Sequence, residues 1–588
     1  MKKYVLGYSG LNNYVSFKNE WLKDASEQEK LVGQGMDAAA ALIKDGMILA
    51  ATEEERYTGE KHTGDFPRNS IDFCLRYGGI SFDDIGLICH NFNYTPYEVL
   101  FRQGDYTFSL YNSILSRTRQ VELLAKYFNV NEEDVDKKFV EFSHHECHAA
   151  YAFYTSGFKK SLVIVADAIS EYSSISVFCG DSTGLHLLKE YGPESSLGML
   201  YSAVTEFLGF VTNSDEYKVM GLAAYGNGAV YSKLFDEIVC MNENGEICIK
   251  HLFPEKVFNT EDRDTYRHMI AWLEKKCFKK REKGESIEQC HKDFARALQD
   301  KLNEVLTKFV TYWKSITNES NLCMSGGVAL NCVANEQIAQ RNLFENIYVS
   351  PAGGDDGTAI GAAILGALDI DHFEFIKKIG MPFYGETISF NTKLLKEFDL
   401  IYEEMPVEAL AENVADCIVE GGIVAIARDR MEFGPRALGN RSILADPRYY
   451  SMRERLNCVT KQREQFRPFA PMIKDDAKGK YFLIQPGVIY KHMLFNASVR
   501  EEHRSQLQAI THIDGTARVQ TVEKEELPLI WEILDNMEKK IGMPILLNTS
   551  FNLKQKPIVC TAKNALEAFV ESDIDMLVLQ NFLIRKRI

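Results

Sequence analysis

The chain has 588 residues, too many for one hydrophobic core, so at least two domains are expected; 45% hydrophobic and 26% charged residues are ordinary for a globular protein. The formal net charge of −16 counts against general nucleic-acid binding, which needs a basic face, and no apolar run is long enough to span a membrane. An N-terminus that soon turns polar and thirteen scattered cysteines without a Cys-x-x-Cys pair predict a cytoplasmic protein with free thiols.

Apolar runs and helical periods alternate along the chain, which predicts α/β or α+β architecture. In the first part, the predicted strands are residues 4–10, 46–52, 85–91, 161–168, 174–179, 322–327 and 347–350. The predicted helices there are residues 37–44, 70–77, 144–155, 288–316, 331–340 and 358–368. Little periodicity follows in residues 373–388, and we place the domain boundary between 375 and 376. Beyond it, strands are predicted at residues 422–427, 544–547 and 576–579.

Two histidines four residues apart, His144 and His148, lie on one face of the predicted helix 144–155. Two imidazoles on one helix face can bind one transition metal, and Asp167, at the end of an apolar strand, is a candidate third ligand. Histidine pairs with this spacing also arise by chance and then only cap or pack a helix. The strand-end carboxylate and the glycine-rich turns described next favour the metal.

Three glycine-containing turns follow predicted strands: residues 7–10, 324–331 and 351–361. Glycines at a strand-to-helix junction let backbone N–H groups approach a phosphate at the helix N-terminus. Gly326 and Gly327 lie in the second turn, and the third contains Asp355, which is placed to bind a metal. Tight turns and close helix packing explain each turn almost as well. Together, the three turns resemble the phosphate loops of the sugar-kinase, heat-shock and actin fold, and none is a Walker A loop.

Cationic residues in the second part lie among proline and apolar residues. The runs are 429–442, which contains Arg436; 461–471, which contains Lys461 and Arg467; and 514–518, which ends in Arg518; the polar run 548–552 contains Asn548 and Ser550. Arginine forks bind phosphate oxygens bidentately. Surface salt bridges are the alternative in an acidic chain. The Pro, Phe, Ala and Gly neighbours of Arg436 and Arg467 favour an anion pocket.

On these motifs the chain resembles the O-carbamoyltransferases of the nodulation-factor, cephamycin and tobramycin type, and the resemblance covers nearly all residues. The matching motifs are residues 53–57 with Lys61-His62 and Phe66-Pro67, then 216–223, 325–331, 433–442, 467–471 and 548–552. Several of these motifs are long, and their coincidence in one chain is specific to that family.

The resemblance implies a cytoplasmic two-site enzyme. Residues 1–375 are similar to the tRNA threonylcarbamoyl-transfer protein, an actin-like ATPase fold with a duplicated α/β core. Residues 376–588 resemble the smaller YrdC-like α/β domain. The second domain would make carbamoyl adenylate from carbamoyl phosphate and ATP with Mg²⁺, and release pyrophosphate. The first would transfer the carbamoyl group to a hydroxyl of a small natural product as AMP leaves. No nucleic-acid or membrane partner is expected, and a homodimer would be in keeping with the family.

The resemblance also implies roles for single residues. The metal ligands would be His144, His148, Asp167 and Asp355, a set that suits Fe(II), with Mn or Zn also compatible. The nucleotide turn of the first domain would be Gly326, Gly327 and Asn331. The carbamoyl phosphate and ATP pocket would be Arg436, Lys461, Arg467, Arg518, Asn548 and Ser550. Lys218 would line the first site as a catalytic residue, or would instead form a buried salt bridge with an acid.

The chain departs from the family near its start. Members usually carry His-Asp-Ser-Ala-Ala there, whereas this chain has Met36 in place of the histidine, after an insertion from about residue 11 to 35. If that histidine helps to deprotonate the acceptor in other members, this chain must use another base, for which Asp37 and His62 are the candidates, or an acceptor of a different kind. The insertion would flank the acceptor site. Two other functions stay open at this stage: a tRNA threonylcarbamoyl-type modifying enzyme, and an actin-like ATPase that carbamoylates nothing.

Overall fold

The structure is a computed structural model that describes residues 4–254, 265–370, 379–460 and 463–587. It divides into two compact units: Met1–Glu55 with His62–Ile379, and Arg56–Lys61 with Gly380–Ile588. The boundary predicted at 375/376 and the predicted pocket residue Lys461 lie outside the described residues. None of the helices in the described ranges is long and apolar enough to cross a membrane.

The first unit is built on two five-stranded sheets. Its strands are β1 Tyr4–Ser9, β2 Ala39–Lys44, β3 Met47–Glu53, β4 Ile85–His90, β5 Phe139–Glu141, β6 Ser161–Ala166, β7 Ile175–Asp181, β8 Gly184–Tyr191, β9 Val239–Met241, β10 Ile247–Ile249, β11 Asn321–Ser325 and β12 Asn346–Val349. The sheet orders are β3-β2-β1-β4-β5 and β8-β7-β6-β11-β12, and β9 pairs with β10 as a separate hairpin. In both sheets the first three strands are antiparallel and the last three parallel. This repeated topology confirms the predicted duplicated α/β core.

The helix predicted at residues 37–44 is wrong, because Ala39–Lys44 forms strand β2. Alanine has the highest helix propensity, and four alanines in a row favour a helix in isolation. Here all four are buried, and β2 pairs with β1 on one side and β3 on the other. Pairing within the sheet therefore overrides the local preference.

Helices cover both sheets of the first unit. They are Tyr14–Trp21, Glu27–Lys30, Glu55–Thr58, Arg68–Gly78, Glu98–Phe101, Asp105–Leu110, Arg117–Phe128, Glu132–Asp136, His144–Thr155, Leu197–Phe207, Glu216–Ala223, Ser232–Ile238, Arg267–Lys276, Gln289–Thr317, Cys332–Ala339 and Asp355–Ile370. Each half ends with a helix after its last parallel strand: His144–Thr155 follows β5, and Asp355–Ile370 follows β12.

These two closing helices touch because glycines remove side chains between them. A Cβ on Gly361 would lie 1.9 Å from the carbonyl oxygen of Cys147, so only glycine allows this approach. Asp355–Ile370 also packs closely on β1, where a Cβ on Gly7 would lie 2.1 Å from the carbonyl oxygen of Ala359. The contact brings the starts of the two helices, and with them His144 and Asp355, to the same place.

The insertion, residues 11–35, packs as part of the first unit. It carries the helices Tyr14–Trp21 and Glu27–Lys30, and its apolar side chains join a cluster with residues of 92–115. The buried members of that cluster are Leu11, Tyr14, Phe17, Leu22, Ala25, Phe92, Tyr94, Phe101, Tyr106, Leu110, Tyr111, Ile114 and Leu115. The insertion therefore shares one apolar core with the segment 92–115.

The second unit is a mixed sheet with helices. Its strands are β13 Leu400–Glu404, β14 Val424–Ala427, β15 Arg441–Ala445, β16 Ala470–Lys474, β17 Phe482–Leu483, β18 Asn496–Val499, β19 Thr516–Arg518, β20 Gln520–Val522, β21 Ile545–Ser550, β22 Met576–Leu579 and β23 Phe582–Lys586. The main sheet has the order β13-β23-β22-β14-β15-β21-β16-β20, and β17-β18-β19 form a smaller one. The helices are Thr392–Glu397, Val407–Val419, Tyr450–Arg455, Lys478–Tyr481, Glu501–Arg504, Pro528–Ile541 and Ala562–Val570. Val407–Val419 and Pro528–Ile541 form the core with the sheet.

Candidate functional site

Four side chains of the first unit converge on one point. The ligand atoms of His144, His148, Asp167 and Asp355 all lie within 4.8 Å of one another. His144 and His148 project from the first turns of one helix, with ring planes at 88° and centroids 4.7 Å apart. Asp167 directly follows β6, and Asp355 begins the helix that crosses the histidine helix. The histidine spacing and the strand end predicted His144, His148 and Asp167 as neighbours, and the structure adds Asp355.

The distances within this cluster fit a divalent metal. His144 Nε2 lies 3.4 Å from Asp167 Oδ2 and 3.4 Å from Asp355 Oδ1; for His148 Nε2 the corresponding distances are 3.5 and 3.8 Å. Four ligands at about 2.1 Å from a tetrahedral metal are about 3.4 Å apart. Both Nε2 atoms are buried, and neither has a hydrogen-bond partner among the residues that the structure describes. Two imidazoles and two carboxylates are a donor set for a first-row metal such as Fe(II).

A chain of hydroxyl groups sets the tautomer of His148. Its Nδ1 lies 3.2 Å from Ser325 Oγ, which lies 2.9 Å from Ser350 Oγ, which in turn is 3.5 Å from the carbonyl oxygen of Met324. If each group donates to the next, Nδ1 carries the proton and the Nε2 lone pair faces the cluster. Contacts of this kind orient histidine ligands in metal sites.

His144 is held from three sides. Its Nδ1 lies 3.2 Å from Nδ2 of Asn91, which also donates to Thr358 Oγ1 at 2.7 Å. Phe92 stacks on the imidazole with centroids 4.3 Å apart and planes at 6°. The Glu171 carboxylate accepts the backbone N–H of His144 at 3.1 Å, at the N-terminus of the helix. Asn91 and Glu171 were missed from the sequence; the position of Asn91 directly after β4 was the available signal.

Charge within the cluster shifts the pKa values of its members. Burial alone would lower the pKa of His144, but the carboxylates of Asp355 and Asp167 raise it to about 10. Burial alone would raise the pKa of Asp167, but the two histidines hold it well below its usual range, and the pKa of Asp355 is lowered for the same reason. A metal bound at these imidazoles would therefore have to displace the proton that the raised pKa of His144 favours.

The second glycine turn lies beside the cluster. Gly326 has a φ of 90°, and a Cβ there would lie 2.3 Å from the carbonyl oxygen of Ala166. Gly327 donates its N–H to Asp167 Oδ1 at 3.1 Å. Asn331 has a local role: its Oδ1 caps the helix Cys332–Ala339, and its Nδ2 donates to Gln299. A nucleotide phosphate at this turn would meet glycine backbone beside the carboxylate of Asp167.

Asp37 and His62 form a hydrogen-bonded pair. His62 Nδ1 lies 2.7 Å from Asp37 Oδ1, and both side chains are 31% exposed. Both residues have left-handed backbone, with φ of 55° and 57°, and Glu55 accepts the N–H of His62 at 2.9 Å. Strained non-glycine residues persist where the surroundings enforce them, often at functional sites. Glu55, Asp37 and His62 could also surround a cation. The direct hydrogen bond favours an Asp–His pair.

Lys218 makes the contact that was left open as the alternative to a catalytic role. Its Nζ lies 2.9 Å from Asp215 Oδ1, and both side chains are largely buried. The neighbouring carboxylate of Glu216 is buried, which raises its pKa, and it accepts from Ser202 at 2.7 Å. A catalytic role for Lys218 stays a prediction.

The described residues of the predicted anion pocket meet at one end of the large sheet of the second unit. Arg436 and Arg467 precede β15 and β16, Arg518 precedes β20, and Asn548 and Ser550 end β21. The register pairs Ser442 with Ser550, Ala470 with Asn548, and Met472 with Gln520, so these strand ends are neighbours. Asn548 Nδ2 donates to the carbonyl oxygen of Ala437 at 2.9 Å and to Gln520 at 3.0 Å. The strand ends that carry these residues are thus neighbours, whereas both N–H groups of Asn548 are used within the unit.

Two buried charged residues, missed from the sequence, shape the loop that carries Arg436. Glu432 Oε1 accepts the backbone N–H groups of Leu438, Asn440 and Arg441 at 2.7, 2.9 and 3.1 Å. Arg441 is fully buried and donates to the carbonyl oxygens of Arg428 and Glu386 at 2.6 and 2.9 Å. The loop is therefore fixed before any ligand binds. In the sequence, the only sign of this buried pair was that charged residues lie among glycine and proline in residues 429–442.

Comparison with known proteins gives matches along most of the chain. The family described as carbamoyltransferase N-terminus matches residues 31–364, and that described as carbamoyltransferase C-terminus matches residues 415–586. Nodulation protein NolNO of Sinorhizobium fredii is 34% identical over 94% of this chain and 79% of its own length. An uncharacterised Synechocystis protein is 34% identical over 94% of this chain and 95% of its own length. The 3'-hydroxymethylcephem-O-carbamoyltransferase of Streptomyces clavuligerus is 27% identical over 88% of this chain and 91% of its own length.

Proposed function

This chain belongs to the carbamoyltransferase family, and from that premise we propose that it is an ATP-dependent O-carbamoyltransferase acting on a small hydroxylated metabolite. The observation that carries the proposal is the match of both family regions, N-terminal and C-terminal, on one chain, each with its own cluster of polar side chains. The resemblance assigns activation of the carbamoyl group to the second unit and its transfer to the first.

In the second unit, the proposed chemistry needs cations for two polyanions. Carbamoyl phosphate would lose its phosphate to water, and an oxygen of the resulting carbamate would bond to the α-phosphorus of ATP. The bond to the β-phosphate breaks, and pyrophosphate leaves with the electron pair, giving carbamoyl adenylate. Arg436, Arg467 and Arg518 would neutralise the phosphates, which is electrostatic stabilisation by fixed donors. The loop fixed by Glu432 and Arg441 would keep Arg436 in place.

In the first unit, His144, His148, Asp167 and Asp355 would hold a divalent metal. When bound, that metal would supply Lewis acidity to a phosphate oxygen as AMP departs. The turn at Gly326 would let the adenylate phosphate approach the backbone beside Asp167. The hydroxyl chain behind His148 would keep its Nε2 lone pair directed at the cluster.

We propose the Asp37–His62 pair as the base for the acceptor. His62 Nδ1–H donates to Asp37, which makes Nε2 the basic nitrogen. His62 would take the proton of the acceptor hydroxyl while the oxygen of that hydroxyl bonds to the carbamoyl carbon. The carbamoyl–phosphate bond then breaks, and AMP leaves with the electrons. This pair would do what the histidine replaced by Met36 does in other members.

The acceptor belongs to the class of small hydroxylated natural products on this proposal. One relative is named for a hydroxymethyl cephem and others for nodulation. The two remaining alternatives have distinct signatures. An ATPase that carbamoylates nothing would release no pyrophosphate in response to carbamoyl phosphate. A tRNA-modifying enzyme would be retained on immobilised tRNA.

The test uses two variants that separate the sites. Arg467→Ala should abolish carbamoyl phosphate-dependent pyrophosphate release from ATP while keeping the bound metal. His144→Ala should lose the metal and carbamoyl transfer while keeping part of the pyrophosphate release. Arg455→Ala is the control, because this arginine pairs with Asp575 at the opposite end of the same sheet. Normal adenylate formation by Arg467→Ala would refute the assignment of the second unit.

A further inference from the structure

Besides its apolar contacts, the insertion, residues 11–35, is hydrogen-bonded to the loops beside the metal cluster by the side chain of Gln34. Its Nε2 donates to the carbonyl oxygens of Ser170 and Ile169, the latter at 3.4 Å. Its Oε1 accepts the hydroxyl of Tyr94. One amide thus bonds to the loop after β6 and to the loop after β4. Both donor and acceptor capacity of the amide are used, which fixes its orientation.

Each of these bonds leads to a proposed metal ligand. Ile169 and Ser170 lie two and three residues after Asp167, so the amide ties down the loop that Asp167 begins. Tyr94 stacks on Phe92 with centroids 5.5 Å apart and planes at 18°, and Phe92 stacks on His144. Tyr94 and Phe92 are each 1% exposed, so both rings are closely packed by their neighbours.

A contact that does not involve Gln34 also holds the histidine helix, so the loss of Gln34 can be tested without unfolding that helix. The carboxylate of Glu171 accepts the N–H of His144 at the N-terminus of the histidine helix. The same carboxylate also accepts the N–H of Asn93, at 2.7 Å. The helix therefore stays in place without Gln34. What Gln34 adds is the ring orientation of His144, through the stack, and the path of the chain after Asp167.

We propose that Gln34 is a positioning residue for the metal centre, through which the insertion holds His144 and Asp167 in ligand geometry. The family match begins at residue 31, so most of the insertion lies outside it, whereas the ligands lie inside. Gln34 itself lies within that match, so it links the insertion to a site that the family region carries. The inference rests on the proposed metal site.

The experiment measures metal binding alone, with no carbamoyl substrates. Metal-free protein is titrated with Co²⁺, whose visible absorption reports coordination geometry, and Gln34→Leu is compared with the native protein. We expect about tenfold weaker binding and a shifted or weakened absorption band, at the lower end of the effect of outer-shell partners. Tyr94→Phe removes one of the three hydrogen bonds of Gln34 and keeps the ring stack, so its loss of affinity should be smaller.

Controls separate this inference from the metal site itself. Gln28→Leu, a change of the same kind in the same insertion, should bind Co²⁺ as the native protein does. If Gln28→Leu weakens binding as much as Gln34→Leu, the effect is one of general stability and the inference is refuted. If His144→Ala abolishes binding but Gln34→Leu does not weaken it, the inference fails and the metal site stands. Native binding by His144→Ala would instead refute the metal site. Should Gln34→Leu not fold, Gln34→Glu tests the same point, since it keeps the acceptor for Tyr94 and loses the donor.

Discussion

Replacing Ser325 by alanine tests whether the hydroxyl chain behind His148 prepares it as a ligand. Ser325 Oγ lies 3.2 Å from His148 Nδ1 and is fully buried. In Ser325→Ala the ring keeps its place in the helix but loses the acceptor for its Nδ1 proton. That N–H group is then buried without a partner whenever Nε2 faces the metal.

The size of the effect follows from that unpaired donor. Leaving a buried donor unsatisfied costs about 1–3 kcal/mol. Because about 1.4 kcal/mol is a factor of ten in a binding constant, metal affinity should fall about 10- to 100-fold. The assay is competition for the metal between the protein and a chelator of known affinity, at a temperature where both proteins are folded.

The matched control is Ser176→Ala. Ser176 Oγ makes the same kind of contact, at 2.6 Å, with Nδ1 of His145, which neighbours the ligands and is absent from the four-residue cluster. This control should keep the native metal affinity. An equal loss in both variants would show that any buried serine next to this helix matters, and an unchanged affinity in Ser325→Ala would refute the role of the chain.

Gly361→Ala should lose the metal with its helices intact by circular dichroism, because the new methyl group would lie 1.9 Å from the carbonyl oxygen of Cys147 and force apart the helices that carry His144 and Asp355; a native metal content would contradict this. Asp37→Asn should lower carbamoyl transfer by about 10²–10⁴-fold, the range for losing general base catalysis, with unchanged pyrophosphate release and metal content. Burial raises the pKa of Glu141 to about 7 from 4.5, so its ionised form destabilises the fold by up to about 3 kcal/mol above pH 7 and by nothing below pH 4.5. Glu141→Gln should therefore raise the melting temperature more at pH 8 than at pH 5, and an equal rise at both would contradict the assigned pKa.

Local patterns were enough for the buried strands of the first unit. The apolar runs at β1, β4, β6 and β11 were predicted within about two residues, because a central strand buried on both faces is a continuous apolar run. Strand β8 was missed, since most of its side chains are exposed and it pairs only with β7. β2 was predicted as a helix because its alanines favour one in isolation.

Some residues of the metal cluster could be predicted from the sequence around them, and others could not. The helical spacing of His144 and His148 and the strand end at Asp167 are local, whereas Asp355 needed the family resemblance. Asn91 and Ser325 were not predicted as partners of the histidines, because they lie 53 and 177 residues away from them, and the strand end at Asn91 is a signal that names no partner. Nothing in the sequence near a histidine shows which distant hydroxyl or amide will orient it.

The duplicated core gives a reason for the chemistry of this cluster. His144 and Asp355 are each the first residue of the helix that closes its half, so the two N-termini point at one place. Helix N-termini favour anions, so two of them would oppose a lone cation. The carboxylates of Asp167 and Asp355 offset this, and a phosphate bound to the metal would use the remaining positive potential. Such a centre suits a metal together with a nucleotide phosphate better than a metal alone, which is what the proposed departure of AMP requires.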